Sequence, residues 1–164
     1  MDASTTVLAV ARRIRARGSW TELTVITNGL RLASELAGSP GVTVLMLGGR
    51  VRWEALLVVG QLGDGLFDRI NVQRAFVGAA GCSLEAGLTD ATDEEAQIKR
   101  TMVTAAREVI AVVDHTKWDR AAFATFCRMD DLDVVVTDEG SPAMVAALVQ
   151  RGITVHIARE DGRS

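Results

Sequence analysis

The feature that most constrains this chain is an alternation. Short aliphatic, β-branched runs occur at "TVIT" (24–27), "VTVLML" (42–47), "RAFVGA" (74–79), "EVIAVV" (108–113), "LDVVVT" (132–137) and "ITVHIA" (153–158). Between them, segments 5–17, 29–37, 60–70, 93–107 and 142–151 carry apolar residues at helical spacing. Near-continuous apolar runs read as strands buried on both faces. Strands that alternate with helices specify an α/β fold: a mostly parallel, Rossmann-like central sheet with helices on both faces, joined by right-handed crossovers.

A chain of 164 residues suits a single domain spanning 1–164, and no repeat, linker or low-complexity tract suggests a boundary. With 48% hydrophobic but only 4% aromatic residues, the core is expected to be aliphatic. The opening "MDASTTVLAVARRIRARG" starts at the turn into the first helix, with Ser4 or Thr5 as the N-cap. A βα fold normally places a strand before such a turn, so the first strand is expected to be truncated.

Charge and cysteine content narrow the function classes. Lys+Arg 18 against Asp+Glu 21 gives a net charge of -3 and a pI near 5.4, which lacks the electrostatic footprint of a domain that grips phosphate backbones. Cys82 and Cys127 have neither metal-ligand spacing nor a histidine cluster, so two reduced thiols are expected, with no metal and no cofactor. Apolar stretches such as "ALLVV" (55–59) are too short to span a bilayer, and no basic segment leads into an apolar one at the start. A soluble cytoplasmic location is expected.

Polar and small residues gather where strands end: "DAST" (2–5) entering a helix, "TN" (27–28), "LGG" (47–49), "GAAG" (78–81), "DHTK" (114–117) and "TD" (137–138). Open α/β sheets bind ligands beyond the carboxyl ends of their strands, where helix N-termini and backbone N–H groups converge on anions. A glycine after a strand is usually only a turn residue. Six such ends together describe a pocket.

Lys99 and Lys117 are the chain's only lysines, and both follow strand-end loops. Thr92 and Glu95 have capping-box spacing, and Glu95 with Lys99 forms an i,i+4 pair that contributes only about 0.2–0.5 kcal/mol if exposed. On that basis Lys99 is an ion-pair partner on a helix surface, a catalytic amine or a clamp for an anionic ligand. A compact ammonium in an arginine-rich chain favours a shared anionic site.

The stretches "VITNGLRLASELAGSPGVTVLMLGGRVR", "RAFVGAAGCSLEAGLTDATDEEAQIKRTMVTAAREVIAVVDHTKWDRAAF" and "VVVTDEG" resemble the effector-binding, C-terminal sensor domain of DeoR-type transcriptional repressors of sugar metabolism. The likeness runs from Asp2 to about Gly140 and rests on "EEAxxKR" and "DxTK" in this order and spacing. It implies a fold akin to ribose-5-phosphate isomerase, glucosamine-6-phosphate deaminase and CoA transferases. It also implies a phosphorylated-sugar or related catabolic effector, assembly as dimers or tetramers, and DNA contact only through an N-terminal winged helix-turn-helix missing from this chain. No membrane partner is implied. Carried over by position, Ser4, Thr5 and Thr6 would cradle the phosphate, with Asp2 fixing the loop or a sugar hydroxyl. Thr27, Asn28, Gly48, Gly49 and Arg52 would shape the walls, and Gly78, Gly81 and Thr89 would admit the ligand to the backbone. Glu95 and Lys99 would contact its polar end, and Asp114 and Lys117 would close the site. The chain departs from the family pattern at Ser4, Leu57, Ala80 and His115, which suggests a different or less hydroxylated effector, or a degenerate pocket. His115 reads as a loop residue and His156 as a strand residue.

The rival is a sugar-phosphate isomerase or deaminase on the same fold. Asp114, Glu95 and Lys99 would then supply the base and the donor for proton transfer between adjacent carbons. The match follows the repressors, so no catalytic residue is assigned and the chain is read as a non-enzyme. A bare oligomerisation remnant is the third reading.

Overall fold

The computed structural model describes residues 1–158, except for the side chains of 61–64. Helix α1 (Thr5–Arg17) comes first, followed by β1 (Leu23–Thr27), α2 (Leu30–Leu36) and β2 (Val42–Met46). A short hairpin, β3 (Arg50–Arg52) and β4 (Leu57–Val59), leads into a 3₁₀ segment, Gln61–Arg69. Next come β5 (Val72–Val77), β6 (Gly81–Ser83), β7 (Gly87–Asp90), α3 (Asp93–Ala105) and β8 (Ala106–Val112). The chain continues through a 3₁₀ turn at His115–Lys117, β9 (Ala124–Cys127), β10 (Val134–Thr137), α4 (Pro142–Gln150) and β11 (Thr154–Ile157).

The central layer is the parallel sheet β11-β10-β8-β5, with helices on both faces. Strand β8 shows why its sequence is apolar throughout. Val109, Ala111 and Val113 pack with Ala96 of α3 and with Met144 and Leu148 of α4. The alternate residues Ile110 and Val112 pack on the other side with Val7, Leu8 and Ala11 of α1 and Leu32 and Leu36 of α2. Period-2 alternation thus sends one strand's side chains into two cores.

Strands β1 and β2 form a separate parallel pair. Residues 1 and 2 lie between this pair and β5, because the Met1 N-terminus donates to the Ile26 carbonyl (2.9 Å) and the Asp2 N–H to the Phe76 carbonyl (3.1 Å). Successive residues bonding to opposite neighbours is the pattern of an inner parallel strand. Burial pushes the Met1 ammonium down to about 6.

The parallel sheet with helices on both faces agrees with the sequence reading, and the antiparallel parts add to it. Besides the β3-β4 hairpin, a three-stranded sheet β6-β7-β9 packs on α3. Both cysteines lie in this sheet, buried and free; burial pushes each thiol up to about 12, so neither is a ready nucleophile. Local signals set the helix starts. Ser4, Thr92 and Ser141 each cap a helix through their hydroxyl, and Pro142 occupies the first turn of α4.

Candidate functional site

The carboxyl ends of β1, β5, β8 and β10 and the head of α1 come together at one end of the sheet. The Ser4 hydroxyl accepts from the Val7 N–H (3.2 Å), closing the N-cap of α1. Thr5 and Thr6 are the first helical residues, so their N–H groups lack an intrahelical acceptor. No acceptor outside the helix meets them among the described residues. Gly78, at the end of β5, lies directly under this cap: a Cβ there would come within 2.3 Å of Ser4 Oγ. Only glycine allows the strand end and the helix head to approach this closely.

Beneath them is a buried ionic node. The Lys99 ammonium contacts Asp2 (2.8 Å) and Asp90 (2.5 Å), donates to the Gly78 carbonyl (2.9 Å), and lies 5.1 Å from the centroid of the Phe126 ring. Asp2 also accepts from the Ser4 N–H (3.1 Å) and the Gly78 N–H (3.0 Å). Burial works against the charge on Lys99, but the Asp2 and Asp90 carboxylates outweigh it and hold the ammonium above its usual range. An amine nucleophile needs the opposite shift. With its three donors taken by Asp2, Asp90 and Gly78, Lys99 braces the loop under α1.

Glu95 meets Arg52 (2.5 Å), which also reaches the Thr92 hydroxyl, in place of the i,i+4 partner Lys99. Burial and the nearby Asp90 raise the Glu95 carboxyl, opposed by Arg52 and Lys99. Arg52 and Glu95 are partly exposed, at 25% and 17% of their side chains, and Arg50 holds Glu94 outside them.

The β1 end is buried. Thr27 Oγ1 accepts from the Gly29 N–H (3.0 Å), and Asn28 donates to the Val58 carbonyl (3.1 Å) while its own Oδ1 has no partner among the described residues. This loop packs on residue 3, since a Cβ on Gly29 would come within 2.9 Å of the Ala3 Cα. Gly48 and Gly49 link β2 to β3, with Gly49 against the Val59 carbonyl. Gly81 abuts the Arg120 carbonyl, and the buried Thr89 hydroxyl donates to the Gly81 carbonyl and accepts from the Ala122 N–H. Thr89 therefore ties the 120–122 loop to β7.

On the β8 side, Asp114 accepts from the Thr116 N–H (3.0 Å) and, at short range, from the Thr116 hydroxyl. That hydroxyl bond is the main cause holding the Asp114 carboxyl low. Lys117 helps keep Asp114 ionised but makes no direct ion pair among the described residues. His115 is clasped by Asp138 twice, backbone N–H to Oδ1 (2.8 Å) and ring Nδ1 to Oδ2 (2.9 Å). This contact raises the imidazole; on Asp138, partial desolvation is overcome by the same bonds, leaving it at about 2.

Neither Asp90 nor Phe126 was expected from the sequence, and Asp138 only as part of the strand end "TD" (137–138). Asp90 carried a signal, as a carboxylate closing the strand run "GLTD". Asp138 closes "VVVT" in the same way, but nothing local pairs it with His115. A cleft of about 990 Å³ lies elsewhere, toward the amino ends of β8 and β10, lined by Arg107, Arg128, Asp131 and Asp133 among others. The C-terminal end of α3 borders it, which disfavours an anion there.

Among the described residues, no group of three or more His, Cys, Asp or Glu is placed to hold a metal ion, and no helix is long and apolar enough to cross a membrane. The family described as the DeoR C terminal sensor domain matches residues 1–139. The HTH-type transcriptional regulator GolR of Listeria innocua is 33% identical over 159 residues, 96% of this chain and 61% of that protein. The HTH-type transcriptional repressor GlcR of Bacillus subtilis is 32% identical over 162 residues, 98% of this chain and 61% of the repressor. The chain thus spans about three-fifths of the length of these relatives. The family match over most of the chain, with a parallel sheet whose strand ends meet a capped helix head, places this protein in the DeoR C-terminal sensor domain family.

Proposed function

We propose that this domain senses a phosphorylated sugar or related catabolic intermediate in the cytoplasm and passes that information to an oligomeric DNA-binding regulator. The observation that carries this reading is the open head of α1, where the N–H groups of Thr5 and Thr6, beside a glycine strand end, meet no acceptor among the described residues. A helix N-terminus with free donors binds phosphate through hydrogen bonds and the helix dipole. Asn28 Oδ1 supports a hydroxylated ligand: a buried acceptor left unpaired costs about 1–3 kcal/mol, which a donor would relieve. Lys117, Arg52 and Glu95 supply charge at the rim. The Asp2–Lys99–Asp90 node holds the floor under the ligand and does not touch it.

Coupling between ligand and DNA affinity needs only about 1–3 kcal/mol of differential binding. Oligomer contacts would draw on the exposed apolar residues Leu45, Met46, Val51 and Trp53, which lie on β2 and the β3-β4 hairpin.

The test is a thermal-shift screen of this chain against phosphorylated sugars and sugar acids, with free sugars and inorganic phosphate as controls. A ligand at about 100 times its dissociation constant adds about 2.7 kcal/mol to native stability. The decisive variant is Thr5→Pro. Proline is favoured at the first helical position, and Ser4 already has the extended backbone (φ −66°, ψ 151°) that a following proline requires. It removes one anion donor and leaves the helix intact. The expected result is an unchanged midpoint without ligand and a smaller ligand-induced shift; an undiminished shift would move the phosphate away from α1.

A further inference from the structure

The average acidity of the chain hides a segregation of charge. Helices α1 and α2 together contain Arg12, Arg13, Arg15, Arg17 and Arg31, five of the eighteen Lys+Arg residues, but only Glu35 of the twenty-one acidic ones. We propose that the cleft between α1 and α2 docks the phosphate backbone of a nucleic-acid duplex.

The cleft has a volume of about 460 Å³, and Arg12, Arg15, Arg31, Ser34 and Glu35 line it with three leucines. Glu35 is only 15% exposed and is shared by Arg12 (3.4 Å) and Arg15 (2.7 Å). Their guanidinium groups are 63% and 60% exposed, so one sheltered carboxylate orients two cations that still face solvent. Arg31 is exposed and pairs with no carboxylate among the described residues. The helix dipole accounts for basic residues in the last turn of α1, where Arg15 and Arg17 lie. It accounts for neither Arg12, in the middle of α1, nor Arg31, in the first turn of α2. Every cation of the cleft is an arginine, whose planar fork matches phosphate in two parallel bonds. A duplex, with a charge on every phosphate, suits three guanidinium groups lining one open cleft better than a single small anion does. The same α1 carries the effector-binding amides at its head, so a ligand that shifts the helix shifts these arginines. This last link rests on the sensor reading; the docking surface does not.

The experiment is fluorescence anisotropy of a labelled duplex of arbitrary sequence titrated with this chain at low and rising salt. Arg31→Ala breaks no ion pair, and Arg12→Gln leaves Glu35 with Arg15, so both are expected to keep the thermal midpoint. Arg107→Ala, in the distant cleft, is the control. Wild type and Arg107→Ala are expected to bind with an affinity that falls steeply with salt. The double variant should bind roughly tenfold more weakly at low salt, with the log–log salt slope reduced by about 0.9 for each phosphate that is no longer neutralised. No duplex binding by wild type at low salt, equal binding by the double variant, or an equal loss in Arg107→Ala would each overturn the proposal. So would poly-glutamate displacing the duplex equally well per charge, since that would assign the cleft to an acidic protein segment. Phosphosugar-induced thermal shifts in Arg31→Ala separate the two readings: retained shifts with lost duplex binding leave both standing, and absent shifts in wild type remove only the effector.

Discussion

Lys99 ends in a dry node between Asp2, Asp90 and the Gly78 carbonyl, whereas Lys117 stands on a loop with no direct ion pair among the described residues. The chain uses these two lysines in opposite ways. An ammonium whose three donors are taken by buried partners cannot give one to a ligand without losing one from the fold. An ammonium without a fixed partner has lost no entropy yet and is available for binding. At this end of the sheet, the two lysines that look most like ligand clamps by motif therefore divide into one fixed within the fold and one held by no ion pair among the described residues.

The largest effect should come from breaking the node. Lys99→Met leaves Asp2, which is fully buried, and Asp90, which is 5% exposed, without their counter-charge. Removing one partner of a buried ion pair costs about 3–5 kcal/mol. Urea unfolding should show that loss, and adding Asp90→Asn should recover part of it by removing one stranded charge. A cost below about 1 kcal/mol would show that water already reaches the node.

The other half of the comparison predicts the reverse pattern. Lys117→Ala should change stability by no more than about 0.5 kcal/mol, as for an unpaired surface residue. It should weaken binding of the phosphorylated ligand about tenfold, near 1.4 kcal/mol, by calorimetric titration. If Lys117→Ala costs stability and spares binding, the roles assigned to the two lysines are exchanged.

The smallest effect concerns the His115–Asp138 clasp, which fixes the loop bearing Lys117. His115 titrates higher in the fold than when unfolded, so its contribution is complete below about pH 6.5 and is lost as pH rises through the raised value. Asp138 is held at about 2, so its contribution is complete above about pH 4 and is lost as pH falls toward that value. Asp138, Glu139 and Asp114 all act on the imidazole in the same direction. Thermal midpoints from about pH 5 to pH 8 should decline slightly more in wild type than in Asp138→Asn. Both side chains are half exposed, so a steep dependence would have to come from another group.

Much of the fold was legible because its signals are local. The run "VIAVV" (109–113) is apolar since both its faces are covered, and Ser4 and Thr92 mark helix starts that the structure keeps. The antiparallel sheet β6-β7-β9 was not legible: its strands have three or four residues, and β9 joins β7 across α3 and β8, with Leu88 opposite Cys127. Strands this short carry too little periodicity to read. Lys99 is an intermediate case. Its motif marked it as a charge with a special role, while its burial three residues after Ala96 and its partners Asp2 and Asp90 came only from the fold.

The sequence by itself determined the alternation of strands and helices, the caps and the apolar stripes, because these depend on neighbours within a turn or a pleat. Only the tertiary structure decided which charges meet. Asp2 reaches Gly78 across 76 positions of chain, and Lys99 reaches both, through contacts whose strength comes from the low dielectric of a site that exists only once the sheet and α3 have closed over it.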